Sequence, residues 1–326
     1  MIVPKLTPWQ RRAYDRAADA LDGGRMGHAL LLCGPPLIGK RAVAERLAQR
    51  QLCGARGAST DPCGECRSCR LFAAGSHPDF HLIGFVHNKE GTRLRTEIVI
   101  EQIRQLSQQL VLTPQYGGAQ VAIVDPADAI NHAACNALLK TLEEPHPNRY
   151  LWLVCANPSR LPATIRSRCQ TLEFRLPQRG EATAWLREQG HTLSAIDDAL
   201  NAARGDPGLA DAWLRDGGLA LRREVAADLN KLARDDAAAL ETAQRWTADE
   251  NAPLRLRHAA DLAAAEAIGL TDPARTRTLV AWFDAANRTR DLLRTTVRAD
   301  LAVAELLMAW RGGDAHTAVP CSGGRG

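Results

Sequence analysis

The sequence predicts an α/β fold with a parallel sheet in the first half of the chain and helices alone in the second half. Short apolar runs typical of strands alternate with helical stretches as far as Phe174. Strands and helices that alternate in this way form a parallel sheet covered by helices on both faces. After Pro177 no strand pattern remains, and Ala, Leu and Arg recur at helical spacing.

Each element is predicted from its own residues. Thr7 can cap the first helix, Pro8 fits its first position, and Gln10 closes a capping box. This helix extends to about residue 22. The predicted strands are 28–33, 80–83, 121–125, 151–155 and 171–174. The other predicted helices are 40–52, 98–110, 128–142, 183–187, 193–203, 219–234, 253–267 and 273–310.

The composition is that of an ordinary globular protein. With 326 residues the chain is long enough for two or three domains, and its 45% of hydrophobic residues excludes wholesale disorder. No apolar run approaches the roughly 18 residues of a transmembrane helix, and residues 1–12 contain no apolar signal core. We therefore expect a cytoplasmic protein without a membrane partner. A formal net charge of +4 is too small to indicate nucleic-acid binding by itself.

Residues 34–40 match the phosphate-binding pattern G-x-x-x-x-G-K. This segment stands between a predicted strand and a predicted helix, where backbone N–H groups and the helix N-terminus can hold phosphates. Gly34, Gly39 and Lys40 are therefore candidate nucleotide-binding residues. Arg41 follows instead of the Ser or Thr that would hold Mg²⁺, so a loop that merely turns the chain is the alternative.

The run 121–125 has the form of the second nucleotide-binding motif, in which an Asp at the end of a strand completes the metal site. Asp125 is the candidate residue, and a loop or cap position is the alternative. Pro126 follows where an acidic residue would polarise the attacking water. Since proline has no carboxylate, the sequence offers no evident base for ATP hydrolysis.

Four cysteines have the spacing of a metal site. Cys53, Cys63, Cys66 and Cys69 supply the four thiolates of a closed tetrahedral zinc site. The alternatives are an iron–sulfur cluster, whose usual ferredoxin run does not continue here, and four unrelated buried thiols. Because four thiolates leave no open position, the role predicted for the zinc is structural. His77 lies near the cluster in sequence and is surplus to it.

Residues 161–169 predict a short helix that presents arginines at the edge of the sheet. In a chain with 41 basic residues, the ordinary interpretation of any one arginine is a solvated surface charge. A functional role for one of them, Arg168, depends on the motifs around it.

Two motifs together resemble the clamp-loader branch of the AAA+ superfamily. They are residues 136–145 (NALLKTLEEP) and, one strand later, residues 167–169 (SRC). The four-cysteine insert and residues 76–79 (SHPD) add to the resemblance. It implies a RecA-like AAA+ domain with a zinc-binding insert, a small helical lid domain and an all-α collar domain that joins subunits into a ring. The expected boundaries are 1–176 with the insert at 53–69, then 177–212, 213–312 and a disordered tail at 313–326.

The clamp-loader family contains motor subunits that hydrolyse ATP and subunits that do not. The chain departs from the motor pattern at Arg41, Pro126, Ala156 and Gly208, the last two at the sensor positions. The resemblance therefore implies a non-hydrolysing subunit whose own nucleotide site is weak or inactive. It also implies that Arg168 is an arginine finger, which reaches the γ-phosphate of ATP held by a neighbouring motor subunit.

The partners that the resemblance implies are motor subunits and the delta subunit in a hetero-oligomeric ring. The assembly would load the sliding clamp on primer–template DNA, as part of a DNA-directed DNA polymerase holoenzyme. No intrinsic polymerase or ATPase activity is expected of this chain. The alternatives are an active P-loop ATPase motor subunit, favoured by Lys40 and its glycines, and a zinc-ribbon nucleic-acid module, favoured only by the four cysteines.

Overall fold

A five-stranded sheet forms the centre of the fold, and all its neighbouring strands are parallel. The computed structural model describes residues 5–55, 61–88, 91–116, 118–293 and 295–311. The strands are β1 (Ala29–Cys33), β2 (Phe80–Ile83), β3 (Gln120–Val124), β4 (Arg149–Cys155) and β5 (Gln170–Glu173). Their order across the sheet is β2-β3-β4-β1-β5. The predicted α/β class with a parallel sheet is confirmed.

The helices alternate with the strands up to β5 and then follow one another without a strand. Those between the strands are α1 (Pro8–Asp22), α2 (Lys40–Leu52), α3 (Arg67–Ala73), α4 (Ile100–Val111), α5 (His132–Glu143) and α6 (Ala163–Arg166). The next are α7 (Arg179–Glu188), α8 (Leu193–Ala202) and α9 (Pro207–Arg215). The last are α10 (Gly218–Ala233), α11 (Ala239–Trp246), α12 (Ala252–Ile268), α13 (Pro273–Leu292) and α14 (Ala299–Arg311).

Side chains from both faces of the sheet are buried against helices. Along β1, Ala29, Leu31 and Cys33 belong to one core, whereas Leu30 and Leu32 belong to the core on the other face. This alternation follows from the two-residue period of a strand. Because the strands are parallel, the loops that carry the candidate nucleotide site leave the sheet at one edge, at the carboxyl ends of β1 and β3.

The helix predicted at 128–142 begins later than expected. Residues Ala127–Ala129 form a 3₁₀ turn, and α5 begins at His132. Asn131 caps α5, since its side-chain oxygen accepts a hydrogen bond of 2.9 Å from the backbone N–H of Ala134. A side chain that satisfies a free N–H in this way favours the start of a helix at that point.

The helical stretch predicted at 273–310 is two helices. α13 ends at Leu292 and α14 begins at Ala299. The hydroxyl of Thr295 donates a hydrogen bond of 2.7 Å to the carbonyl oxygen of Leu292. Hydroxyl groups that bond to nearby backbone in this way compete with the helical pattern. The sequence analysis also did not predict α3, α9 or α11.

The chain divides into two compact units, Met1–Asp211 and Ala212–Gly326. The first contains the sheet, and the second contains only helices. The finer boundaries at 176 and 212 stay predictions, and the tail expected at 313–326 lies outside the described residues. Among the described residues, no helix combines the length and the apolar content that a membrane span requires.

The second unit has a core rich in tryptophan. The rings of Trp282 and Trp310 lie 4.7 Å apart, and both indole N–H groups donate to backbone carbonyls. His258 is fully buried in this unit and packs edge-on against Trp213 at 4.6 Å. Burial, together with the nearby charges of Arg222 and Arg257, lowers the pKa of His258 to about 3.

We predict that His258 makes the second unit sensitive to acid. The pKa of His258 in the folded protein lies below the ordinary value of 6.5. The contribution of the neutral His258 to the free energy of unfolding is therefore complete above pH 6.5 and is lost as the pH falls towards about 3. Between pH 7 and pH 5 the loss from this group is roughly 2 kcal/mol. Urea unfolding at the two pH values should show this loss in the wild type and a smaller loss in His258→Leu. The exposed His132, changed to Gln, is the control and should keep the wild-type loss; equal losses in all three proteins would refute the assignment.

Candidate functional site

The four predicted metal ligands come together beside the sheet. The sulfur atoms of Cys53, Cys63, Cys66 and Cys69 all lie within 4.8 Å of one another. Three of the separations are 3.5 Å between Cys53 and Cys63, 3.9 Å between Cys53 and Cys66, and 3.9 Å between Cys63 and Cys69. Four sulfurs bound tetrahedrally at about 2.3 Å from zinc would be roughly 3.8 Å apart. The donor set and the spacing both fit a tetrahedral metal ion.

Backbone N–H groups point at two of these sulfurs. The N–H of Cys66 donates to the sulfur of Cys63, and the N–H of Cys69 donates to the sulfur of Cys66, each at 3.4 Å. These bonds form because the chain turns into the first residues of α3. The N–H of Cys66 lowers the pKa of Cys63. Burial raises the pKa of Cys66, but the N–H groups of Cys69 and Gly54 and the neighbouring cysteine side chains together lower it to about 6. Thiolates, which metals require, are thus favoured at these positions.

A hydrogen-bonded chain holds the cysteine cluster to the rest of the first unit. The hydroxyl of Ser68 donates to the carbonyl of Leu52 at 2.5 Å and lies 2.7 Å from Nε2 of His77. Nδ1 of His77 accepts from the N–H of Asp79 at 3.1 Å. This pattern requires the neutral tautomer with the proton on Nε2, and burial lowers the pKa of His77 accordingly. His77, surplus as a ligand, therefore supports the segments that carry Cys53 and Cys69.

Asp61 provides a second attachment. Its carboxylate pairs with Arg11 of α1 at 2.6 Å and with Arg46 of α2 at 3.1 Å. These guanidiniums lower the pKa of Asp61 against the opposing effect of burial. The segment that carries the cysteines is thus tied to α1 and α2.

The phosphate loop has a left-handed backbone conformation at Gly39. It connects β1 to the N-terminus of α2, where Gly39 has a φ of 95°. This backbone conformation favours glycine, and a methyl group at Gly39 would also displace the side chain of Gln10. Gln10 and Trp9 each donate a side-chain hydrogen bond of 3.1 Å to the carbonyl of Ile38. The start of α1 thereby fixes the loop.

Lys40 is buried and bound to its own loop. Its amine donates to the carbonyl of Gly34 at 2.8 Å and to that of Pro35 at 2.5 Å. Burial lowers the pKa of Lys40, although the nearby carboxylate of Asp125 acts in the opposite direction. The lysine that would contact phosphates is therefore satisfied by backbone oxygens.

Arg41 occupies the place where the sequence pattern expects a metal ligand. Its Nε donates to Glu45 at 2.8 Å, and its Nη1 lies 3.7 Å from the carboxylate of Asp125. Burial raises the pKa of Asp125, and the charges of Arg41 and Lys40 oppose that rise. Asp125 therefore faces an arginine of the same chain. The ion pair of Arg41 with Glu45 could have been predicted from the sequence, because the two residues are four apart on a helix.

The loop is also covered at the position of the second sensor. Gly208, near the start of α9, packs directly on Leu37, and a methyl group at 208 would overlap the carbonyl oxygen of Leu37. A side chain such as arginine cannot be placed there without displacing the loop. At the first sensor, Ala156 offers no polar group, and the N–H of the next residue, Asn157, donates to Asp128 at 2.9 Å.

Arg168 lies between α6 and β5, on the surface. Its Nη2 is 2.7 Å from the carboxylate of Glu143, and its Nη1 donates to the carbonyl of Thr164 at 2.9 Å. The side chain is 38% exposed. The structure thus brings Gly34, Gly39, Lys40 and Asp125 to one edge of the sheet, and it places Arg168 and the cysteine cluster elsewhere on the first unit.

Comparison with known proteins gives the family. A family model described as DNA polymerase III, delta subunit, matches residues 9–178, which is more than half of the chain. The DNA polymerase III subunit delta-prime of Pseudomonas aeruginosa is 37% identical over 243 residues, which cover 73% of this chain and 70% of the relative. The chain belongs to the DNA polymerase III delta-prime family.

Two further relatives agree with this membership. The delta-prime subunit of Haemophilus influenzae is 35% identical over 223 residues, which cover 67% of this chain and 64% of the relative. The match therefore spans slightly less than two thirds of that delta-prime protein. The tau/gamma subunit of DNA polymerase III from the same organism is 32% identical over 167 residues, which cover 51% of this chain and 22% of that subunit. Similarity to the delta-prime family thus extends over more of this chain than similarity to tau/gamma does.

Proposed function

We propose that this member of the delta-prime family is a non-hydrolysing interface subunit of the bacterial clamp loader. It joins motor subunits and the delta subunit in a ring, supplies Arg168 to ATP held by a neighbouring motor subunit, and so helps to load the sliding clamp on primed DNA. The cytoplasmic location and the contacts with clamp and DNA through the assembly belong to the same proposal.

The observation that carries the proposal is the pairing of Arg41 with Asp125. In an active P-loop site a hydroxyl and an aspartate hold Mg²⁺, which neutralises the phosphates during hydrolysis. Here the aspartate faces a guanidinium at 3.7 Å, and the neighbouring position is Pro126. A fixed positive charge repels a divalent cation, and proline cannot activate water. Residues present in this chain therefore argue against hydrolysis at its own site.

Surface position and charge support the role given to Arg168. The proposed function needs a guanidinium that is fixed at its base and accessible at its tip. Arg168 is flanked by the buried Ile165 and by Cys169, which packs on the same core. Stabilisation of the charge that develops on a transferred phosphoryl group is what an arginine supplied by a neighbour contributes.

Structural zinc is the metal proposed for the cysteine cluster. The four sulfurs would hold it, and zinc with four thiolates supplies folding stability and no reaction chemistry. Cys53, Cys63, Cys66 and Cys69 hold the ends of the insert together, and Asp61 and Ser68 join that insert to the helices and loop around it.

An active ATPase motor subunit is the second candidate function. The left-handed backbone conformation of Gly39 in the phosphate loop and the presence of Lys40 favour it. Arg41 and Pro126 weigh against it. The two candidates differ in whether the isolated chain turns over ATP.

Steady-state ATP hydrolysis by the isolated chain with Mg²⁺ separates these candidates. We expect no turnover that depends on Lys40, because Arg41 stands where a Mg²⁺ ligand is needed and Pro126 stands where an acidic residue would activate water. The same assay on Lys40→Ala measures contaminating ATPases. Turnover that is present in the wild type and absent in the variant would make the chain a motor and overturn the proposal.

In a reconstituted clamp loader, Arg168→Ala should reduce single-turnover ATP hydrolysis at the neighbouring site by at least about tenfold, because it removes the charge that stabilises the transition state. Arg166→Ala, which changes an exposed arginine two residues away at the end of α6, is the matched control and should leave the rate unchanged. Thermal unfolding of each isolated variant checks that the fold is intact. An unchanged rate with Arg168→Ala would return this residue to an ordinary surface charge.

Elemental analysis of the purified protein should find about one zinc per chain. Removal of the metal with a chelator, or Cys66→Ser, should lower the unfolding temperature of the first unit because the thiolates lose their common partner. Cys135→Ser, which changes a buried cysteine outside the cluster, should retain the zinc. Stoichiometric iron with visible absorbance would contradict the zinc assignment.

A further inference from the structure

One ion pair joins the two motifs that first indicated the family. Glu143 belongs to the NALLKTLEEP motif at the end of α5, and Arg168 is the centre of the SRC motif before β5. The carboxylate Oε1 of Glu143 lies 2.7 Å from Nη2 of Arg168. The two motifs therefore meet in space at the side chain to which the proposed function assigns the central role.

The position of Glu143 is unfavourable for the helix that carries it. It is the last residue of α5, and Glu144 follows directly. Carboxylates at the C-terminus of a helix are repelled by the negative end of the helix dipole and by the free carbonyl groups there. Helix stability therefore does not explain an acidic residue at this position. Positions that break a local rule are where a functional reason is to be sought.

Arg168 is held from two elements at once. Glu143, at the end of α5, contacts Nη2 of Arg168. Nη1 of Arg168 donates a hydrogen bond of 2.9 Å to the carbonyl of Thr164, which lies on α6. A guanidinium has five N–H donors, and these two contacts use two of them. Among the described residues no further acceptor is seen for the others, and the side chain keeps 38% of its surface exposed. One part of the guanidinium is thus anchored, and the rest can bind an anion.

We propose that Glu143 is a positioning residue for Arg168. This inference rests on the proposed function, in which Arg168 contacts the γ-phosphate in a neighbouring subunit. A free arginine side chain samples many rotamers and must give up that freedom to contact the transition state. Glu143 and Thr164 restrict those rotamers before the partner arrives, so the restriction no longer adds to the barrier. Glu143 itself touches no nucleotide.

The test compares Glu143→Ala with Glu144→Ala in the reconstituted clamp loader. Glu143→Ala should lower kcat for ATP roughly three- to tenfold, because one of two anchors is lost, while KM for ATP stays unchanged. Glu143→Gln keeps an oxygen that can accept from Arg168, and its kcat should lie between those of Glu143→Ala and the wild type.

Glu144 is the matched control. It is the adjacent glutamate at the same helix end, and within the described part of the chain it makes no contact with Arg168. Glu144→Ala should leave both constants unchanged.

The outcomes separate this inference from the proposed function. If Arg168→Ala has no effect, the proposed function itself fails. If Arg168→Ala lowers kcat but Glu143→Ala leaves it unchanged or raises it, Arg168 is a finger that Glu143 does not position, and the inference is overturned. A rise in KM, or an equal loss with Glu144→Ala, would indicate a general disturbance of α5 and would also overturn it. Equal unfolding temperatures of the isolated variants complete the comparison.

Discussion

Arg41 and Asp125 face each other because β1 and β3 run in the same direction and end at one edge of the sheet. The phosphate loop follows β1 and leads to Arg41 on α2, while Asp125 comes directly after β3. In a hydrolysing site a divalent cation would compensate this carboxylate, and here a guanidinium contributes part of that compensation. An arginine cannot coordinate phosphate oxygens as bound Mg²⁺ does, so this contact agrees with the proposal that the chain does not hydrolyse ATP.

The rest of the phosphate loop is consistent with a structural use of the motif. Lys40 bonds to two carbonyls of the loop, Gly208 leaves no room for a sensor side chain, and Gln10 packs against Gly39. The first contact satisfies the amine that a nucleotide would otherwise engage, and the other two fill space beside the loop. Arg168, which Glu143 contacts, and Cys63 of the four-cysteine insert are both exposed on the first unit.

Much of the fold could be predicted because its signals are local. The central strands are short apolar runs, since a strand in a parallel sheet is buried on both faces. The errors arose where side chains set the limits of a helix: Asn131 caps the start of α5, and the hydroxyl of Thr295 donates to a carbonyl at the end of α13. The candidate cysteine ligands could be chosen from the sequence because three of them, Cys63, Cys66 and Cys69, follow one another at intervals of three residues. His77 could not be recognised as a support, because its partner Ser68 is identified only by the folded geometry.

The residues by themselves determined which groups of an active P-loop site are replaced in this chain. A missing hydroxyl at 41 and a missing carboxylate at 126 are properties of side-chain identity and need no fold to be read. The four thiolates that can hold a metal were likewise evident from their spacing. Only the tertiary structure showed that Arg41 faces Asp125 and that Glu143 holds Arg168. Arg41 and Asp125, like Glu143 and Arg168, are distant in sequence and meet only where parallel strands bring the ends of separate loops and helices together.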